Sequence, residues 1–421
     1  MDEKLGFRPS KKQGKIGKEK ELEPGAWSQT RVSHDWIESV QSKLVTWYHA
    51  AQRDLPWRKG DNPYEILVSE MMLVQTTVTA VIPLFERFIK RFPDPQSLAA
   101  ATEVDVLKAW EGLGYYRRAR QLQAAARIIV HEYGGKVPRD IAAVQSLPGV
   151  GRYITGAILS CAFDLPEPIV EANSQRVLAR LLAWREDLNA RTSRHWLWDV
   201  ARQLVPSRDP GKFNQGLMDL GAMVCTPHTP SCLVCPLSAC CESRRLGLQD
   251  VLPVNSPRPA PLMVIEACAV VVQDGAVLVV RRKEGGLWSK FWEFPTVNLD
   301  GADPAGRSFG HPVDLTEGIK RLTGIQVRLG PEVHTLTYTV TKHRVCLRVH
   351  FGEAVSGALT PGPGLTDARF VPPTALADLP LGSPTRKLTT WMGKNAWHFA
   401  RAEGDLPGKG ASPGRKQAGS V

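Results

Sequence analysis

The 421-residue chain has no apolar run of the ~18 or more residues that a spanning helix requires, so no membrane span is expected. Residues 1–30 lack the apolar centre of a secretory signal and read instead as a basic, disordered tail. Residues 401–421, rich in Gly and Lys, read as a second tail, and no internal repeat is present. Cysteine is sparse outside one segment: five of the eight cysteines lie within residues 225–241. Disulfide frameworks belong to short secreted chains, so this clustering points to a metal or cluster site in a cytoplasmic protein, nucleoid-associated if bacterial. A monomer is expected.

What the chain has in excess is positive charge, with a net +11 at pH 7. Polyanions are therefore the first partners to consider. The length exceeds that of one hydrophobic core, so two domains are expected. Residues 31–246 show helical periodicity, as in VDVLKAWEGL and LQAAARIIVHEY, broken by RFPDP, YGGKVPRD and SRDPGKF. Residues 247–261 are Pro-rich and read as a linker. Residues 262–400 change texture. The β-branched runs around Asp274-Gly275 predict a hairpin, and HTLTYTVTKHRVCLRVHFGEAV predicts a second strand pair. The fold class expected is an all-α domain followed by an α+β domain.

Several motifs carry chemistry. The cysteines run Cys225-x6-Cys232-x2-Cys235, followed by adjacent Cys240 and Cys241. Four thiolates at such intervals suit a [4Fe–4S] cluster, with zinc as the rival and either Cys240 or Cys241 as the fourth ligand. LPGVGRYITGAI sits between helical patterns; Gly149, Val150 and Gly151 form a tight turn that exposes amides at a helix start, a natural phosphate site. Glu70 lies in the apolar helix YEILVSEMMLVQTTV, where burial raises a carboxyl pKa and suits a general acid. Glu171 precedes a helix in PIVEANSQRVLARL and can cap it, act chemically, or both. GLGYYRRAR sets two aromatics before Arg117, Arg118 and Arg120, as a base-stack wedge with phosphate-holding arginines would.

Taken in order, LPWR, NPYEILVSEMML, GLGYYRRAR, LPGVGRYITGAI, EANSQRVLARL, FNQGLMDLGAMVC and the cysteine loop resemble the MutY-type adenine DNA glycosylases of the endonuclease III superfamily. The resemblance implies a helix-hairpin-helix glycosylase domain with a [4Fe–4S] loop, followed by a Nudix-like domain that recognises 8-oxoguanine. It assigns Glu70 as the acid that protonates adenine, and Glu171 as the anion that stabilises the sugar cation. Asn173 matches the Asn beside that anion and Tyr153 a Tyr of the pocket, both counted with the catalytic set, and Gln75 and Tyr115 fall at positions that enter the duplex. Family spacing selects Cys241 as the fourth ligand, beside Cys225, Cys232 and Cys235. GLWSKFWEFP resembles the second domain's signature strand, and Thr341, Lys342 and His343 its lesion loop. The implied partner is duplex DNA bearing A:8-oxoG or A:G mispairs.

The sequence departs from the family's pattern at Glu171, where Asp is usual, and at Ala172, where Gly is usual. It departs again at Val74, usually Gln, and at Val340, often aromatic. LTEGIKRLTGI places Lys320 and Arg321 where a Nudix hydrolase carries Mg²⁺-binding acids, so triphosphate hydrolysis is not expected. Tyr153 stands where lyase-type relatives have a Schiff-base Lys, which implies a monofunctional enzyme. A mispair-binding protein with weakened catalysis is the other alternative, and it rests on Glu171.

Overall fold

The computed structural model describes residues 33–257, 260–284, 288–300 and 314–394. Both predicted tails, and the first two residues of GLWSKFWEFP, lie outside the described residues. No helix among the described residues is long and apolar enough to cross a membrane.

The chain forms two compact units. The first comprises the described residues through Leu67, Arg139–Gln145 and Val150–Pro257. It holds α1 (His34–Ala51), the start of α2 (Pro63–Leu73), most of α7 (Ile141–Ser146), α8 (Arg152–Phe163), α9 (Ala172–Leu181), α10 (Arg191–Leu204), α11 (Pro210–Met223) and α12 (Glu242–Leu246). Ser33 caps α1 by accepting from the Trp36 N–H, and Val40, Leu44 and Tyr48 recur at four-residue spacing on its buried face. They meet Val177, Leu178 and Leu181 of α9, Leu197 and Leu204 of α10, and Phe213, Leu217 and Leu220 of α11. One buried carboxylate interrupts this apolar packing. Asp219 on α11 is 0% exposed and receives a bidentate guanidinium from Arg58 at 2.7 and 3.1 Å and Arg53 Nε at 2.8 Å. Burial opposes its ionisation, but the hydrogen bond and charge of Arg58, then those of Arg53, bring its pKa below the usual value. The LPWR motif is thus architectural: its Arg fixes the segment before α2 to α11.

The predicted linker is only partly free. Leu248 and Leu252 are buried against Ala183, and the Leu252 carbonyl accepts from Arg180 at 2.7 Å.

The second unit comprises Val68–Pro138, Ser146–Gly149 and the described residues from 260 onward. Its helices are the end of α2, α3 (Val78–Arg91), α4 (Pro95–Ala100), α5 (Glu103–Ala109), α6 (Arg117–Tyr133), α13 (Leu315–Thr323) and α14 (Ser383–Lys394). Its strands are β1 (Leu262–Gln273), β2 (Ala276–Arg282), β3 (Trp292–Glu293), β4 (Thr296–Asn298), β5 (Gln326–Val340), β6 (His343–Ser356) and β7 (Leu365–Val371). They form one mixed sheet in the order β3-β2-β1-β6-β5, with β4 on β1 and β7 on β2. The β1–β2 hairpin closes on Asp274 and Gly275, both at positive φ, as the sequence predicts. The β5–β6 hairpin closes at Thr341-Lys342, also as predicted, but its strands extend beyond the expected pair. Cys268 and Val270 face one layer with Leu388 and Met392 of α14; Ala267, Ala269 and Val271 face the other with Ile319 of α13. A strand covered on both faces reads as a continuous apolar run, which explains ACAVVV.

Helices α5 and α6 fall in the same unit as the sheet, and polar contacts link them to it. Lys108 reaches Asp378 at 3.0 Å, Arg386 pairs with Glu111, and Arg120 donates to the Ser289 carbonyl at 2.8 Å.

Candidate active site and cysteine loop

Helix α2 is apolar nearly all round, and Tyr64 and every residue from Ile66 to Met72 are buried. Glu70, 6% exposed, lies in that buried run. The helix ends at Leu73, and Gln75 follows as an exposed residue at φ +58°. Tyr115, 53% exposed, stands at φ +46°. Left-handed backbone is strained for both residue types and persists only where the surroundings over-determine it.

Arg118 ties the two turns together. Its buried guanidinium donates to the Met71 and Met72 carbonyls at 2.7 and 3.0 Å, to Leu113 O at 3.3 Å and to Thr76 Oγ1 at 3.4 Å. It satisfies carbonyls at the end of α2 and spans from there to the turn that carries Tyr115. Burial lowers its pKa to about 10, which leaves it cationic at neutral pH. This corrects the expectation that the GLGYYRRAR arginines hold phosphates. Arg118 faces inward, Arg120 pairs with Glu103 at 2.8 Å, and Arg117 alone of the three is exposed.

In the hairpin, Gly149 has φ +82°, and a Cβ there would meet Met71 Cε at 2.7 Å and Gln121 Cβ at 2.9 Å. Conformation and space both require glycine. Gly151 caps α8 with no side-chain bond, and a helix start of this kind is a natural place for an anion. The Val150 side chain is buried, so its backbone is what it can offer a ligand. Arg152 lies 3.9 Å from the Trp198 ring centroid. The half-buried Tyr153 donates its hydroxyl to Met218 Sδ at 3.8 Å.

Glu171 is the N-cap of α9 and closes a capping box with Ser174. Its Oε2 accepts from Asn173 N at 2.9 Å and Asn173 Nδ2 at 3.2 Å, and its Oε1 from Ser174 N at 2.8 Å. A carboxylate offers about four acceptor sites, so three bonds leave one. Burial raises its pKa above the usual value, opposed by the Asn173 and Ser174 N–H groups and by Arg176. Arg176, absent from the sequence reading, donates to Asn173 Oδ1 at 2.9 Å, Gly221 O at 2.8 Å and Cys225 O at 2.8 Å. It therefore links the cap to the first cysteine of the loop. Asn214 holds Glu167 O at 2.8 Å and so fixes the segment that leads into Glu171.

Cys225, Cys232, Cys235 and Cys241 line one small cavity with Arg180 and Arg244. Cys240 is not in its wall; its Sγ lies 3.6 Å from Ser39 Oγ on α1, and its carbonyl accepts from Trp36 Nε1. Arg180, buried on α9, gathers the loop by donating to Cys225 Sγ, Thr226 O and Pro227 O. No three of these thiols lie within 4.8 Å of one another; among the described residues only the exposed His34, Asp35 and Glu38 form such a trio. Tetrahedral zinc at Zn–S ~2.3 Å holds its sulfurs ~3.8 Å apart. Four thiols on one cavity are the donor set that a cubane cluster takes. Burial pushes the Cys235 thiol up to about 11 and raises those of Cys232 and Cys241.

In the second unit Thr341, exposed at φ +51°, sits 3.4 Å from His343 Nδ1 through its Oγ1, and Lys342 is exposed. On α13, Glu317 pairs with Arg321 at 2.9 Å, and the helix carries no second acid.

The model of the HhH-GPD superfamily base excision DNA repair proteins matches residues 68–203, and that of the NUDIX domain matches residues 267–391. An adenine DNA glycosylase of Homo sapiens is 34% identical over 398 residues, covering 80% of this chain and 70% of that protein. One of Mycolicibacterium smegmatis is 43% identical over 199 residues, 47% of this chain and 67% of that protein. One of Rattus norvegicus is 39% identical over 323 residues, 64% of this chain. The chain spans 62% and 61% of the length of the rat and mouse relatives. A solved thermostable thymine-DNA glycosylase is 31% identical with a TM-score of 0.46, covering 50% of this chain and 98% of that one.

Proposed function

Because the chain belongs to the adenine DNA glycosylase family, we propose that it excises adenine mispaired with 8-oxoguanine or guanine in duplex DNA and leaves an abasic site. The observation that carries this reading is Glu70, a buried carboxyl group on the helix that presents Gln75. A base within the stack is unreachable, so it is flipped into a pocket. Gln75 and Tyr115 enter the duplex, and the hairpin amides of Gly149–Gly151 and the Arg117 guanidinium hold phosphates. Glu70 then donates a proton to the departing adenine. The C–N bond breaks towards an oxocarbenium-like sugar, the Glu171 carboxylate stabilises that cation, and water adds to the sugar carbon. This is the division of labour between two carboxyl groups seen in glycoside hydrolysis. Asn173 and Tyr153 position the pocket, and Thr341, Lys342 and His343 contact the lesion.

A labelled-duplex assay tests the reading. With A:8-oxoG duplex, strand breaks are expected only after alkali treatment. Breaks without alkali would indicate a lyase. Binding without breaks would indicate a mispair-binding protein that has lost catalysis.

Cys225, Cys232, Cys235 and Cys241 are the residues that would hold a [4Fe–4S] cluster. When bound, the cluster supplies a four-point crosslink that orders the loop. Its expected signature is broad absorption near about 400 nm. Cys241→Ser should lose most of this absorbance and most of the iron, whereas Cys240→Ser should keep both, because Cys240 faces Ser39. Equal losses from the two variants, or bound zinc instead of iron, would remove the assignment.

A further inference from the structure

The turn that presents Tyr115 is held by the sheet-bearing part of its own unit. Tyr116 is buried, with its ring centroid 4.2 Å from that of Phe291, just before β3. One turn along α6, Arg120 donates to Glu103 Oε1 at 2.8 Å and to the Ser289 carbonyl at 2.8 Å, and its guanidinium stands 5.9 Å from the Phe291 ring centroid. Lys290 brings its ammonium to the other Glu103 oxygen at 3.3 Å. Glu103 on α5 is therefore the node at which α5, α6 and the 288–291 segment meet. Burial works against its charge, yet the Arg120 hydrogen bond and the two cations hold its pKa below the usual carboxylate value. Trp288 and Lys290 both have left-handed backbone, at φ +62° and +64°, a costly conformation that packing must impose. From the other side Arg386 of α14 pairs with Glu111, at the start of the same turn. These ion pairs are half-buried rather than solvated, and one carboxylate serves two cations, so they form a network rather than isolated surface pairs.

We infer that Glu103, through Arg120 and Lys290, is a positioning residue for mispair selectivity: it locks the Tyr115 turn to the Nudix-like domain, so that lesion contacts there favour Tyr115 insertion. None of the three touches the reacting atoms. The inference rests on the glycosylase reading above. It has a physical requirement that coupling always has, namely a linking element whose state both sites bias. The inference gives that part to the Tyr115 turn, which is held at φ +46°.

The test uses the full chain carrying Glu103→Gln, Lys290→Met or Lys290→Arg. Single-turnover excision is measured on A:8-oxoG and A:G duplexes, with rates scaled to the active fraction. Glu103→Gln and Lys290→Met should lower the A:8-oxoG to A:G rate ratio by about tenfold, within the usual range of coupling between sites. The A:G rate should stay within about twofold of the parent, and Lys290→Arg should keep the parent's ratio. A loss of folded protein lowers both rates together and leaves the ratio unmoved, so the ratio separates positioning from stability.

Amide hydrogen exchange gives a readout that needs no activity. Residues 112–118 should exchange faster in Glu103→Gln, while α9 and α11 stay unchanged. If the parent excises no adenine, the functional reading fails and the exchange result alone decides the node. Unaltered exchange at the turn, or an unaltered rate ratio in an active parent, overturns the inference.

Discussion

Glu70→Gln is expected to bind A:8-oxoG duplex within a few-fold of the parent and to excise adenine slower by ~10²–10⁴-fold, the usual contribution of general acid catalysis. The substitution keeps the side chain's size, so Tyr64, Leu67, Met71 and the rest of buried α2 can pack as before. It removes the one property the mechanism needs, since an amide does not release a proton to a departing base. Binding should survive because the groups assigned to it lie elsewhere on the chain: Gln75 and Tyr115 on turns, and the amides at Gly149–Gly151. Thermal unfolding and single-turnover excision measured on the same preparation make the comparison. Excision within a few-fold of the parent would show that the proton comes from another group, and the role given to Glu70 would fall.

How much of this was legible beforehand depends on the kind of residue. The hairpin glycines, the Asp274-Gly275 turn and the cysteine spacing are local, and local rules placed them. The Glu171 cap was also readable, because Glu171 and Ser174 stand at the two ends of a capping box. The arginines are less legible. In RRAR each looks equally suited to phosphate, yet α6 buries Arg118, Leu122, Ala125, Ala126 and Ile129 along one face. Helical spacing back from Leu122 reaches Arg118, so the 3.6-residue period carried the answer that residue type obscured. The choice between Cys240 and Cys241 had no such resolution from spacing alone. Adjacent residues point in different directions, and only packing on Ser39 and Trp36 shows which way Cys240 turns. The tie between α5–α6 and the sheet was beyond reach for a different reason. Glu103 and Lys290 are 187 residues apart, and no periodicity predicts an ion pair across that separation.

Glu171→Gln should reduce excision by ~10²–10³-fold, the range for loss of one preorganised charge-stabilising group, because an amide cannot balance a developing sugar cation. The structure sharpens the expectation, since Glu171 also holds the start of α9 with both oxygens. Gln offers one oxygen where Glu offers two, so one N–H bond is lost at a cost of about 1 kcal/mol. That is visible as a small drop in unfolding midpoint and is far too small to account for the loss of rate. Glu171→Asp separates the roles the other way. Asp is a preferred cap, so folding should change little, but its carboxylate stops one methylene short. A displacement of roughly 1 Å from the reacting carbon can cost ~10²-fold.

Protonation adds a third check. Burial raises the Glu171 pKa, so its carboxylate is lost at a higher pH than that of an ordinary Glu. The acid limb of the excision rate attributable to Glu171 should therefore lie at higher pH than an ordinary Glu would give. The same direction fixes its part in stability: a carboxyl whose folded pKa is raised contributes most at low pH, and that contribution fades as pH rises through the folded value. Falling pH should thus remove activity through Glu171 while its effect on folding turns favourable. An active parent with an equally active Glu171→Gln would place the stabilising anion elsewhere. An inactive parent rescued by Glu171→Asp would identify the chain as a mispair-binding protein whose catalysis lapsed at this one position.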